Sequence, residues 1–168
     1  IASIAEKYGA EVPFLRPKHL SKDVPTEDVT LHAAKFLEKK GYKINLVATL
    51  EPTAIGRKVI HLKKAFKILN ENKAHDSVMT VIKVSERPEW MMKTVNNIVS
   101  PIYPYFFYKN KPFLKYPSSK QFLPIYRATA IIYLIKYKAL LKYKSCTGIK
   151  CYPLKLKKYF EVDVDWPE

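Results

Sequence analysis

Between residues 25 and 84 the hydrophobic period of the chain switches back and forth, and this switching restricts the fold more than any other feature. Val29, Ala33, Phe36 and Leu37 recur at helical spacing behind Pro25-Thr26-Glu27-Asp28, a helix start with acid in its first turn, and Gly41 closes that helix. Leu46-Val47-Ala48-Thr49-Leu50 is a continuous β-rich run, the pattern of a central strand covered on both faces, and Pro52 and Gly56 punctuate the turn after it. Leu62, Ala65, Phe66 and Leu69 form the next helical stripe, and residues 77–84 return to strand composition. Ahead of these, residues 1–8 show helical spacing closed by Gly9, and residues 10–14 read as a short edge strand that leaves Arg16 on a strand-end loop. The resulting order, α-β-α-β-α-β, predicts an α/β fold with a mostly parallel sheet and helices on its faces, joined by right-handed crossovers. At 168 residues and 48% apolar composition, one such domain accounts for the whole chain.

The rhythm breaks over residues 86–124, a Pro- and Tyr-rich stretch with neither a helical period nor a long strand. A structureless loop of that length does not fit inside a compact domain, so the stretch reads as an insertion of hairpins, or as an arm ordered against a second subunit. After it, residues 128–135 form an apolar strand, 137–143 a short helix, and 149–153 and 159–164 two further strands.

Four glycines, at 9, 41, 56 and 148, leave no room for a Gly-rich dinucleotide loop or a Walker-type phosphate cradle. Cys146 and Cys151 are too few for a disulfide framework and lack a histidine to complete a zinc pattern, which suits two reduced thiols in the cytoplasm. The uncharged stretch 94–108 is broken by Pro101 and Pro104 and falls short of the roughly 20 residues a membrane-spanning helix needs. The chain opens on Ile1 with no basic leader, and reads as a segment of something longer.

Thirty lysines and arginines against fifteen acids give a net charge of +15, so the default partners are anions. Residues 101–160 hold thirteen of these cations and no acid. Rings such as Tyr103, Phe106 and Tyr108 interleave there with Lys109, Lys111 and Lys115, a pattern that fits base stacking with phosphate contacts and equally a dimer interface. Only four cations are arginine, Arg16, Arg57, Arg87 and Arg127, and the guanidinium fork grips phosphate or carboxylate at two points in a way lysine cannot. Near the carboxyl end, Asp163 and Asp165 stand two apart on a predicted strand and share a face, a pair of hard oxygen donors suited to Mg²⁺ shared with substrate phosphates.

Four segments in order carry a family resemblance. Arg16-Pro17-Lys18-His19-Leu20-Ser21-Lys22-Asp23, Leu50-Glu51-Pro52-Thr53-Ala54-Ile55-Gly56-Arg57, Tyr126-Arg127-Ala128-Thr129-Ala130-Ile131-Ile132-Tyr133 and Val162-Asp163-Val164-Asp165-Trp166-Pro167-Glu168 resemble the corresponding motifs of the CMP-sialic acid synthetases and their pseudaminic and legionaminic relatives. Three of the four arginines fall inside them. The resemblance implies a three-layer, Rossmann-like, nucleotide-diphospho-sugar transferase fold, here without its first strand and phosphate loop, and with residues 86–124 as a dimerisation segment. It implies a cytidylyltransferase joining CMP from CTP to an acidic nine-carbon sugar with release of pyrophosphate. Arg16 would hold the nucleotide; Glu51, Thr53, Arg57, Arg127 and Tyr133 would border the sugar; Asp163 and Asp165 would bind Mg²⁺. Glu51 stands where the family has glutamine, Glu27 where a small hydroxyl residue is usual, and Ala128-Thr129-Ala130 where it has Pro-Asn-Gly. Two other readings fit the same residues: a degenerate, non-catalytic family member kept as a dimerising or regulatory subunit, and a basic RNA-binding module.

Overall fold

The computed structural model describes residues 1–102, 107–108, 111–112 and 123–157. Helix α1, Ala2–Lys7, ends as expected on Gly9, whose φ of +85° is cheap for glycine and whose N–H donates to the Glu6 carbonyl. Residues 10–14 form no strand. Pro13 lacks a ladder donor, and the segment is held by side chains instead: the Phe14 ring packs 4.5 Å from Phe36 and 5.2 Å from His32, centroid to centroid.

Helix α2, Thr26–Lys39, places Glu27 and Asp28 in the first turn, where the helix dipole favours negative charge, and buries Thr30 and Ala34. Strand β1 (Leu46–Thr49), helix α3 (Val59–Glu71) and strand β2 (Ser77–Lys83) follow. The stripe expected on α3 is rotated slightly. His61, Ala65 and Leu69, four apart, are buried, while Phe66 is exposed.

The insertion does form hairpins. Strands β3 (Met92–Val95) and β4 (Ile98–Pro101) pair across Asn96 and Asn97, both at positive φ, the conformation a two-residue hairpin turn requires. Strands β5 (Phe107–Tyr108) and β6 (Lys111–Pro112) make a second, shorter pair. Strand β7 (Tyr126–Lys136), helix α4 (Tyr137–Tyr143) and strand β8 (Cys151–Leu156) complete the described chain, whereas the strand expected at 159–164 lies outside the described residues.

The four-stranded sheet has the order β1-β7-β2-β8. It is mixed, where the alternation pattern predicts a mostly parallel sheet. β2 and β8 pair in parallel, but β7 runs antiparallel to both neighbours. The physical reason lies in the insertion. Among the described residues between β2 and β7 there is no α-helix; the chain comes back so that Lys83 pairs with Tyr126 and β7 runs antiparallel to β2. β7 also takes the central place expected for β1, which stands at the end of the described order with its residues half-buried or exposed. A β-rich apolar run reports strand preference without reporting which strand will lie between two others.

Two apolar clusters meet on β7. Ala65 and Leu69 of α3 pack with Val78, Ile131, Ile132, Leu134 and Leu154. Ala34 of α2 packs with Ile135 and with Tyr137, Ala139 and Leu140 of α4.

Candidate functional site

The end of the sheet where β1 stops holds a pocket of about 450 Å³. Four separate parts of the chain supply it: Thr26 and Glu27 from the start of α2, Glu51-Pro52-Thr53 after β1, Ala130 and Tyr133 from β7, and Cys146 beyond α4. Local structure explains why each faces inward.

The loop after β1 is tied down by Arg57. Its Nε donates to the Ile131 carbonyl at 2.7 Å and its Nη2 to the Glu51 carbonyl, so the guanidinium straps this loop to β7. Burial pulls the Arg57 pKa down, and the nearby Glu51 charge opposes that shift. Glu51 is further held by the Thr26 hydroxyl, which donates to its Oε1 at 3.1 Å.

On β7 the register jumps. Met79 pairs with Tyr133 and Val81 with Ala128, so one β2 residue, Thr80, opposes residues 129–132. The Thr80 hydroxyl fills the gap in the ladder: it accepts from the Ile132 N–H at 3.0 Å and from the Thr129 hydroxyl at 2.8 Å. The irregularity sets four β7 residues against one of β2, and Ala130 within it lines the pocket. It falls within residues 126–133, one of the segments that carry the resemblance.

Cys146 is buried, and a chain of contacts runs to it from Thr30 through Thr49, whose hydroxyls lie 3.0 Å apart. Burial first, and the charges of Glu27 and Glu51 in addition, push its pKa up against hydrogen bonds from Thr30 and Thr49. Its burial against Thr49 suits a thiol that packs the pocket wall.

Of the residues expected at the site, Glu51, Thr53 and Tyr133 line this one pocket. Arg57 borders it from behind, with its donors directed at main-chain carbonyls. Arg127 is exposed near the start of β7, opposite Ile82. Arg16 lies apart, beside a mostly apolar cavity of about 580 Å³ between α1, residues 11–15 and α2. Asp163 and Asp165, the expected metal ligands, lie outside the described residues. Among the described residues no three His, Cys, Asp or Glu side chains cluster as a metal site, and no helix is long and apolar enough to cross a membrane. Sequence reasoning did not select Thr26 or Cys146. Thr26 carries a weak signal in its place at a helix start; Cys146 carries none, because only the fold brings it beside β1.

No family model matches the chain. Among curated proteins it is similar to the CMP-N,N'-diacetyllegionaminic acid synthase of Legionella pneumophila, with 30% identity over 176 aligned positions that take in 99% of this chain and 69% of that protein. The chain belongs to the CMP-sugar cytidylyltransferase family. For a cytidylyltransferase of this kind the meeting of the 50–57 and 126–133 segments is the informative feature. The two are far apart in sequence, and Arg57, reaching the Ile131 carbonyl, joins them directly at the pocket wall.

Proposed function

We propose that the protein joins CMP from CTP to an acidic nine-carbon sugar of the sialic, pseudaminic or legionaminic type. The anomeric hydroxyl of the sugar attacks the α-phosphorus of CTP, the new C–O–P link forms as the Pα–O–Pβ bond breaks, and pyrophosphate leaves. The observation that carries this reading is the convergence of Glu51, Thr53 and Tyr133, from two separate segments, on one pocket in a chain of this family.

In this reading the pocket takes the sugar, with hydroxyls and carboxylates orienting it, and Arg127 faces the sugar's own carboxylate, a pairing suited to the planar fork of arginine. Arg16 holds the nucleotide. Asp163 and Asp165 are a hard-oxygen donor pair of the chemistry Mg²⁺ prefers, and a bound Mg²⁺ supplies neutralisation of the charge on the CTP phosphates. The high positive charge of the chain suits two anionic substrates. The exposed apolar side chains of the β3–β4 hairpin, Val95, Ile98 and Val99, support residues 86–124 as the contact of a homodimer. The cytoplasm suits the two free thiols, Cys146 and Cys151.

The test is pyrophosphate release from CTP by the full protein with Mg²⁺ and each of sialic, pseudaminic and legionaminic acid in turn. At least one sugar should give turnover, and the double variant D163N/D165N should lose it by about a hundredfold or more. No pyrophosphate from any of the three overturns the proposal.

A further inference from the structure

Strand β1 pairs with β7 only as far as Thr49, opposite Tyr133. Carried on by two residues, the same register would set Glu51 opposite Ile131, and there a side chain takes the place of the ladder. The Arg57 Nε donates to the Ile131 carbonyl at 2.7 Å and its Nη2 to the Glu51 carbonyl, so one planar guanidinium spans the gap between the two main chains. Each side of that gap is anchored in turn. The Glu51 carbonyl also accepts from the Ala54 N–H at 3.3 Å, closing a turn whose Ala54 is buried in the same apolar cluster as Ile131. On β7 the next N–H, that of Ile132, is held by the Thr80 hydroxyl at 3.0 Å. Glu51, Pro52 and Thr53 line the pocket from one side of the gap, and Ala130 and Tyr133 from the other, whereas Arg57 is not among the lining residues.

A guanidinium suits this place better than an ammonium group. Its rigid fork fixes the separation of two acceptors, while a lysine offers a point charge on a flexible stem. Two of its donors are used on main-chain carbonyls behind the pocket wall. We infer that Arg57 is a positioning residue: a strap that sets the gap between residues 51–53 and β7, and through it the affinity for the sugar, without touching the sugar itself. The inference rests on the pocket being the sugar site proposed above. The strap acts on one wall of one pocket. Arg16, to which that reading gives the nucleotide, lies at a separate cavity, so loss of the strap weakens the hold on sugar and spares the hold on CTP.

Two readouts on the full protein test this, using R57M, which keeps the reach of the side chain and removes its donors, and R57K, which keeps the charge without the fork. The first needs no sugar. Cys146 is buried and lines the same pocket, so its alkylation by iodoacetamide at one fixed pH, followed by peptide mass, reports loosening of the wall. R57M should raise that rate about tenfold or more, and the rise should not depend on low concentrations of urea, the mark of a local opening. The second is steady-state kinetics with the sugar that the wild-type protein uses. In R57M the KM for sugar should rise about tenfold or more while the KM for CTP stays within about twofold, and R57K should recover only part of both losses. Unchanged Cys146 alkylation in R57M overturns the inference, even with a raised sugar KM, because Arg57 would then be a substrate contact. Alkylation that climbs with urea as global unfolding does, or equal rises in both KM values, makes Arg57 a general stability residue and overturns it too. So does full recovery in R57K, since charge alone would then suffice. No turnover of any sugar by the wild-type protein overturns the transferase reading and the role in sugar affinity together; a raised local alkylation rate in R57M then retains the strap.

Discussion

Strand β7 and the β3–β4 hairpin are built from the same kinds of residue, yet the fold treats them oppositely. On β7, Ile132, Leu134 and Ile135 are wholly buried at 0% exposure, whereas on the hairpin Val95, Ile98 and Val99 are 58%, 67% and 63% exposed. Both segments have β-branched, apolar compositions and both form antiparallel pairs. What separates them is what covers them. β7 lies between β1 and β2 with α3 packed on one cluster and α2 and α4 on the other, while the two hairpin strands pair with each other and leave these apolar side chains exposed. Apolar composition states that a segment needs a partner; it does not state whether that partner is inside the same molecule.

The sharpest way to break this contrast is a matched pair of truncations. L134A removes wholly buried atoms and should lower the unfolding free energy by about 2–5 kcal/mol, while V99A should stay within about 0.5 kcal/mol for the isolated subunit, both read by urea denaturation. Equal losses at the two sites would mean that the hairpin is packed as tightly as β7. A smaller effect is expected at the bulge. T80V keeps the shape but leaves the Ile132 N–H without its acceptor, while the Thr129 hydroxyl retains the Thr80 carbonyl at 3.3 Å, at a cost of about 1–3 kcal/mol. A fully stable T80V protein would show that the bulge is set by the strands alone.

The smallest effects concern pH at the Lys136 end of β7. Asp76, just before β2, accepts from the Lys150 N–H at 2.9 Å and the Ile149 N–H at 3.1 Å; the Lys150 hydrogen bond is the main reason its pKa is lowered. A carboxyl whose folded pKa is depressed contributes stability above its unfolded pKa and loses it as pH falls. Tyr137 behaves inversely. Burial and its 2.7 Å bond to Glu38 push its pKa up from 10.0 to about 12, so its contribution is whole below pH 10.0 and fades as pH rises toward about 12. D76N should therefore flatten the acid limb of a plot of melting temperature against pH, and Y137F the alkaline limb. A wild-type limb that survives its own substitution would break the assignment.

Much of the fold is written locally and was legible for that reason. The bounds of α2 follow from apolar spacing with Pro25 and Gly41 as punctuation, the span of α4 and the place of α3 follow from spacing alone, and the hairpins follow from the loss of period after residue 86. Errors arose where a non-local choice decided. Residues 10–14 have strand composition but no ladder, because Phe14 finds Phe36 and His32 before any strand edge. The sheet is mixed because the chain returns from the insertion beside β2 and antiparallel to it. At the site, Glu51, Thr53 and Tyr133 were legible through their segments, whereas Cys146 and Thr26 were not, since nothing in their neighbours announces a pocket.

By itself, then, the amino-acid order determined the α/β class, the extent of α1, α2 and α4, the approximate place of the four main-sheet strands, and the segments that tie the chain to its family, because each depends on side-chain period or on residues adjacent in the chain. The place of β7 at the centre, the four-residue bulge locked by Thr80, and the meeting of Glu27, Glu51, Tyr133 and Cys146 at one pocket were decided only in three dimensions. Each of these depends on which surfaces meet after long loops close, and pairing between distant segments is a competition among many partners that no local pattern encodes.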